Sequence, residues 1–334
     1  MNTIVKKQSL GQFFTRNDFW LKNHVLDFIK NTNTTIAFDP FAGGGDLIRV
    51  AKTIGFKKTI GFDIDSSLDW QINDSLLSVP KIDNSIIITN PPYLTNYSAK
   101  RKGIYENVRR YFDDCDYDDV YQLAIKRCFS NDFGIMIIPE TFINSSFPKD
   151  RLVSITIIED GLFNDTENPV CVICFDNKSK SYDKIQVYKN EDLLGSLGYF
   201  EKMRRIPSKN VSIRFNAPAG KIALRAVDTT NPQKPISFMR REEIDYDLTT
   251  IKESSRLITL IDVKMNGGNI DEVIRHSNDL LLDFRKKTYD VLLSPFKGNK
   301  KNGERRRRLD YLTARAFLED AYELAYPNSK MTLF

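Results

Sequence analysis

The stretch TTIAFDPFAGGGDLIRVAKTIGFKKTIGFDID, residues 34–65, decides the fold. An apolar run through Ile36, Ala37 and Phe38 stops at Asp39, and a turn with three glycines, Gly43 to Gly45, follows. Leu47, Ile48, Val50, Ala51 and Ile54 then recur at helical spacing, and Gly55 marks the stop. The second apolar run, TIGFDID (59–65), ends in carboxylates. The order is strand, glycine turn, helix, strand.

The same alternation continues outward. SIIITNPPY (85–93) and FGIMIIPE (133–140) read as strands, and VYQLAIKRCF (120–129) as a helix between them. LVSITIIEDGLF (152–163) and PVCVICFD (169–176) read as a late pair of strands. Near-continuous apolar strands separated by helices predict a mostly parallel sheet covered on both faces, a doubly wound α/β domain. Ligands in such domains sit beyond the carboxyl ends of the strands. Asp39, Asp63, Asn90 and Pro139 lie at those ends.

The chain has 334 residues, 41% hydrophobic and 28% charged, enough for a large core and two domains. Residues 1–177 carry 19 Lys and Arg against 23 Asp and Glu, a net of −4. Residues 178–334 carry 30 against 21, a net of +9. The polar DNKSKSYDK (176–184) reads as a linker. The expected organisation is therefore a catalytic domain over 1–177 and a basic α+β domain over 178–334 that binds a polyanion. Within the latter, SPFKGNKKNGERRRR (294–308) reads as an exposed loop before a helix, LDYLTARAFLEDAYELA (309–325). No apolar run approaches the roughly 18 residues that cross a bilayer. The N-terminus has no secretory pattern, so a soluble cytoplasmic protein is expected. Cys171 and Cys174 form a C-x-x-C within an apolar strand pattern, which points their side chains to opposite faces and favours packing over metal. No metal is expected.

FDPFAGGGDL (38–47) lacks the glycine spacing and the lysine of a phosphate loop. A carboxylate facing this turn would repel a pyrophosphate and suit an ammonium group. Asp63 ends the next strand, where an acid can hold ribose hydroxyls. Asp74 in INDSLL follows and could take an adenine amino group. The pocket asks for a nucleoside that bears a cationic amino acid, which S-adenosylmethionine satisfies.

Asn90-Pro91-Pro92-Tyr93 asks for an amine. The exocyclic nitrogen of adenine is a weak nucleophile because its lone pair is shared with the ring. Two acceptors, the Asn90 side-chain oxygen and the Pro91 carbonyl, would hold its hydrogens. The prolines fix φ, so the carbonyl needs no reorganisation. Tyr93 offers a face for the base to stack on. Direct displacement then rests on positioning.

The ordered set LGQFFT (10–15), DPFAGGG (39–45), GFDID (61–65), NDSLL (73–77) and NPPY (90–93) resembles the gamma-class N6-adenine DNA methyltransferases of restriction–modification systems. The resemblance covers roughly residues 8–177. It implies a Rossmann-like methyltransferase fold and S-adenosylmethionine as cofactor. Phe13 and Thr15 would lie near its methionine part, Asp39 at its amino group, Asp63 at the ribose and Asp74 at the adenine. Pro40, Phe41, Ala42, Gly43, Ile64 and Ser75 would complete the cofactor contacts. Asn90, Pro91, Pro92 and Tyr93 would hold the target base, with Phe163 in DGLFNDTENP as a second aromatic at its edge. The chain continues GQFFTRND where the family often has GQFFTP, and Thr15 with Asp18 also fits a plain helix N-cap.

The expected substrate is double-stranded DNA, from which the adenine must be flipped. Lys100, Arg101, Lys102, Arg109 and Arg110 follow the corner, interleaved with Tyr97, Tyr105 and Tyr111, and read as phosphate contacts or as a solvated helix. Lys300, Lys301, Arg305, Arg306, Arg307 and Arg308 are further phosphate candidates, which would give affinity and salt dependence. A cognate restriction endonuclease is the expected partner, and a monomer suits a single transfer. A protein glutamine methyltransferase and an RNA adenine methyltransferase share the NPPY chemistry. A catalytically idle DNA-binding module would need no Asn90.

Overall fold

A computed structural model describes residues 18–113, 116–159, 168–245, 257–264 and 269–326. Phe13, Thr15 and Phe163 lie outside the described residues. The chain forms two compact units, one ending at Gly198 and one beginning at Tyr199.

The first unit is built on nine strands: β1 (Ile36–Asp39), β2 (Lys58–Asp63), β3 (Gln71–Ile72), β4 (Ser85–Thr89), β5 (Gly134–Pro139), β6 (Leu152–Ile158), β7 (Val170–Phe175), β8 (Gln186–Lys189) and β9 (Asp192–Ser196). Their order in the sheet is β3-β2-β1-β4-β5-β7-β6-β8-β9. β7 runs antiparallel to both β5 and β6, and β9 antiparallel to β8; the other pairings are parallel. This is the expected doubly wound α/β fold, with two reversed strands, β7 inside the sheet and β9 at its edge. β1 lies between β2 on one side and β4 on the other, so the strand order reverses there. Such a switch point is where a ligand crevice opens.

The sequence explains the central strands. Every residue of β4 and of β7 is buried, as is β5 up to Ile138. Strands covered on both faces need apolar side chains at odd and even positions alike. Ala37, Ile86, Ile88, Ile135, Ile137, Val172 and Cys174 fill one side of the sheet together with Leu47 and Ala51. Leu47 and Ala51 lie on the helix Asp46–Thr53, which is preceded by α1 (Asn23–Thr32) and is labelled α2. After β4 come α3 (Asn96–Arg101), α4 (Tyr105–Val108) and α5 (Val120–Cys128). The thiols of Cys171 and Cys174 are fully buried in β7.

The boundary between units falls later than residue 177. β8 pairs with β6 and β9 with β8, so the sheet claims the chain through Ser196. The polar segment before β8 is tied down rather than a free linker. The Lys180 backbone N–H donates to the Asp150 carbonyl at 2.7 Å, and Ser179 Oγ donates to the Asp150 carboxylate at 2.8 Å.

After α6 (Leu197–Lys202), the second unit holds a four-stranded antiparallel sheet in the order β10-β13-β11-β12. These are β10 (Ile213–Phe215), β11 (Ile222–Arg225), β12 (Ser237–Arg240) and β13 (Ile258–Val263). Two long helices, α7 (Ile270–Thr288) and α8 (Tyr311–Ala325), pack on each other, and β14 (Ser294–Asn299) pairs with β15 (Arg305–Arg308). Residues 294–308 are therefore a hairpin and not an exposed loop. Its anchor is Asp228, fully buried. Arg285 donates to both Asp228 oxygens at 2.9 Å, and the Arg307 backbone N–H donates to Oδ2 at 3.1 Å. Arg306 Nε donates to the Asp228 carbonyl at 2.7 Å, and its guanidinium lies over Phe296. Arg307 is 2% exposed and is not presented to a phosphate. Lys300 is nearly covered and pairs with Glu304, whereas Lys301 is exposed at the turn.

Candidate active site

The carboxyl ends of β1, β2 and β4 bring the expected residues together. Asp39 ends β1 and is 2% exposed. Its Oδ1 accepts the Phe41 N–H at 2.9 Å and the Thr89 hydroxyl. Burial pushes this carboxyl up to about 7; the Thr89 and Phe41 hydrogen bonds pull back only in part. Thr89 is fully buried and immediately precedes Asn90. One hydroxyl thus joins the candidate cofactor carboxylate to the strand that carries the candidate amine site.

Asp63 shapes the glycine turn. Its Oδ2 accepts the Gly43 N–H at 2.8 Å, and its Oδ1 accepts the Asp65 N–H at 2.9 Å. The Ala42 N–H donates to the Phe62 carbonyl at 2.8 Å. Ile64 beside it is 50% exposed, an apolar surface next to the acid. Trp70 is a site residue that the sequence reading missed. Its Nε1 donates to the Gly43 carbonyl at 2.8 Å, and its ring covers Gly45 and Gly61. A Cβ at Gly61 would lie 2.4 Å from the ring, and one at Gly45 2.8 Å. Gly45 also has φ of 78°, which a glycine adopts without strain. Those two glycines therefore serve the indole and the entry to α2. No local signal in SSLDWQIND marks Trp70 for this role.

Asp74 is half-buried and already engaged. Its Oδ2 accepts Arg110 Nη2 at 2.8 Å and the Tyr111 hydroxyl at 2.9 Å, and its Oδ1 accepts the Leu76 N–H at 3.3 Å. A carboxylate has about four acceptor sites, so room for one further donor remains. Ser75 is buried and accepts from Asn73 Nδ2. Arg110, a phosphate candidate in the sequence, pairs with Asp74. The basic segment is not one helix: α3, α4 and a tight turn over Arg109–Tyr111 divide it. Lys100, Arg101, Lys102, Arg109 and Arg110 are all exposed. Lys100 lies over Tyr105, and Arg109 pairs with Asp113 at 2.9 Å.

At the corner, Pro91 is buried, while Asn90, Pro92 and Tyr93 are half-buried. The Tyr93 hydroxyl lies 2.5 Å from Asn90 Oδ1 and 2.8 Å from the Ile137 carbonyl oxygen. Its ring packs edge-on to Tyr121. Thr95 caps α3 by accepting the Ser98 N–H at 2.9 Å, which fixes how the chain leaves the corner.

No protein-family model matches the sequence, and no curated protein matches it significantly. Solved structures with a similar course include the methyltransferase subunit of a type I restriction–modification system from Streptococcus thermophilus, at 14% identity and a TM-score of 0.36. That alignment covers 54% of this chain and 47% of that one. The type IIG restriction endonuclease BpuSI aligns at 16% identity and a TM-score of 0.37, over 60% of this chain and 30% of that one. TrmN from Thermus thermophilus aligns at 13% identity and 0.30, over 46% and 48%. This chain spans less than half the length of each of these three. The fold assignment rests on the strand order and directions given above. Among the described residues no group of His, Cys, Asp and Glu could hold a metal, and no helix is long and apolar enough to cross a membrane.

Proposed function

We propose that the chain moves the methyl group of S-adenosylmethionine to the N6 amino group of a flipped adenine in double-stranded DNA. The observation that carries this reading is the Asp39–Thr89–Asn90 connection, in which an acid suited to an ammonium accepts from the residue just before an amide suited to an amine. When bound, S-adenosylmethionine supplies an electrophilic methyl group on a sulfonium. Asp39 would hold its ammonium, Asp63 its ribose and Asp74 its adenine, with Ile64 against the ring. The Asn90 oxygen and the Pro91 carbonyl would accept the two amine hydrogens and leave the nitrogen lone pair aimed along the transfer line. Tyr93 would stack on the base. Fixed acceptors of this kind cost no reorganisation when the bond forms.

The basic second unit, with Lys301, Arg305, Arg306 and Arg308, would serve target recognition, and Lys100 to Lys102 with Arg109 would contact phosphates near the flipped base. The resemblance to restriction–modification enzymes makes a cognate endonuclease the expected partner, and a monomer suits a single transfer. Purified protein should transfer labelled methyl to N6 of adenine in duplex DNA. Transfer to RNA or to a protein amide, with none to DNA, would refute the substrate. Asn90→Ala should abolish turnover while cofactor affinity stays within a few-fold. Base-modification sequencing of DNA from a host expressing the gene would read activity and target together.

A further inference from the structure

The β14–β15 hairpin of the second unit is held along one edge and open along the other. Beside β15, Val227 bridges to Arg308, the Asp228 N–H donates to the Arg307 carbonyl at 3.0 Å, and the Leu309 N–H donates to the Ala226 carbonyl at 2.8 Å. At the turn, the Lys301 N–H donates to the Thr230 carbonyl at 2.8 Å. Lys300 is drawn in between Glu304 at 3.1 Å and Asp228 at 3.7 Å. Among the described residues β14 pairs with β15 alone. A hairpin pinned at its base, its middle and its turn keeps its shape on meeting a partner, so binding carries little ordering cost.

Exposure alternates from the outer strand into the turn. Lys297, Asn299 and Lys301 are exposed, while Phe296, Gly298 and Lys300 are partly or nearly covered. Asn299 stands opposite Arg305 in the ladder, and Gly298, at φ of 72°, lies where the register shifts. An irregularity of that kind re-aims the side chains beside it. Several exposed cations elsewhere on this unit are matched by acids: Arg240 by Asp271, Arg275 by Asp279 at 3.5 Å, and Lys287 by Asp283 at 2.7 Å. Among the described residues Lys297 and Lys301 form no ion pair. Arg306 reaches the Asp228 carbonyl and covers Phe296, and Arg307 is buried, so these two arginines of the charge run belong to the scaffold.

We propose that this hairpin enters the major groove of duplex DNA, with Asn299 on the edge of an adenine and Lys297 and Lys301 on phosphates to either side. The major groove admits a two-stranded ribbon, and an asparagine there matches the N6 donor and N7 acceptor of adenine together. Lysines flanking such a reader fix its position and carry no sequence information. The inference rests on the DNA part of the reading above and not on methyl transfer.

Fluorescence anisotropy of the full chain on labelled duplexes, without cofactor, tests it. The probes are a duplex of random sequence and one that the wild-type chain enriches from a random pool. Lys297→Gln and Lys301→Gln should each lower the slope of log affinity against log salt by about one on both probes. Asn299→Ala should leave that slope and the random duplex unchanged and weaken the enriched duplex about tenfold or more. In the wild type, 7-deazaadenine, which lacks the N7 acceptor, should weaken binding by a similar factor at one adenine of the enriched duplex, and Asn299→Ala should be insensitive there. All three side chains are exposed, so the variants should melt with the wild type. Lysines that merely guard an edge strand would leave the salt slopes unchanged and overturn the proposal. So would an Asn299→Ala that keeps the full preference, a wild type that enriches no duplex, or equal binding to an RNA duplex, whose deep, narrow major groove side chains cannot read. A chain that binds as expected and transfers no methyl refutes the functional reading alone. One that methylates DNA while the three variants bind like the wild type overturns the hairpin alone.

Discussion

Asp39 gives the sharpest test of the cofactor reading, because its charge should follow its ligand. Its carboxyl stands at about 7 against an ordinary 3.8, chiefly through burial. Protonation is therefore favoured by the folded chain. The sign follows: stability associated with Asp39 is full below 3.8 and is lost as pH rises to about 7. The gap corresponds to roughly 4 kcal/mol as an upper bound. Asp39→Asn keeps the shape and the acceptor for Thr89 and Phe41 but never ionises. Ligand-free Asp39→Asn should thus melt like the wild type near pH 4. Near pH 8 it should melt higher, by up to about 10 °C on the usual scaling for a unit of this size. Melting curves across pH 4–9 for both proteins would show it.

Binding should run the other way. An ammonium needs the ionised carboxylate, so apparent affinity falls by the protonated fraction. With a carboxyl at about 7, S-adenosylhomocysteine should bind about tenfold more tightly at pH 8 than at pH 6. Asp39→Asn should bind weakly and with a flat profile. Thr89→Val removes a bond that holds the carboxyl down, so its binding curve should move to higher pH. Calorimetry in two buffers of different ionisation enthalpy would count the proton released near pH 6. If wild type and Asp39→Asn share one pH profile for both melting and binding, the assignment of Asp39 to a cation is wrong.

Three further outcomes are expected. Gly61→Ala drives a methyl into the Trp70 ring, so stability should fall by about 1–3 kcal/mol and cofactor affinity with it; an unchanged melt would show that Trp70 does not pin the glycine turn. Asp228→Asn removes one of the two carboxylates paired with Arg285, Asp290 remaining at 2.8 Å, and should cost about 1–3 kcal/mol in urea unfolding, while an unchanged midpoint would remove Asp228 as the anchor of the hairpin. Arg110→Ala releases an Asp74 acceptor, so cofactor affinity should rise a few-fold while the salt slope of DNA binding stays unchanged; cofactor affinity that falls instead would mean Arg110 helps to hold the ligand.

The legible part of the fold was the part set by burial. β4, β5 and β7 are buried strands, and their apolar runs say so without reference to anything distant. The placement of Asp39, Asp63 and Asn90 at the carboxyl ends of strands was legible because each interrupts such a run there. What stayed hidden depends on partners far along the chain. β8 and the edge strand β9 have mixed residues, and their place is set by the pairing of β8 with β6 and of β9 with β8. The charge run Arg305 to Arg308 looks like an exposed loop until the buried carboxylate of Asp228 is placed beneath it. Trp70, Thr89 and the Tyr93 hydroxyl act through single atoms on neighbouring elements, and no spacing in the sequence encodes such contacts.

Two buried aspartates differ in how the cost of their burial is offset. Asp39 and Asp228 are 2% and 0% exposed, so burial pushes both carboxyls upward. At Asp228 the Arg285 hydrogen bonds and charge outweigh that penalty, and the group settles below its ordinary range. At Asp39 the partners are a hydroxyl and a backbone N–H, and the group stays at about 7. Neutral donors recover only part of the cost of burying a charge, whereas a guanidinium supplies the opposite charge as well. Among the described residues no Lys, Arg or His forms a salt bridge with Asp39. The second unit therefore carries the cation for its buried acid in its own chain. The first unit has a buried acid at a strand switch point whose described partners are neutral. Under the proposed reading the ammonium of the cofactor would offset that burial, and the opposed pH profiles of melting and binding described above test it.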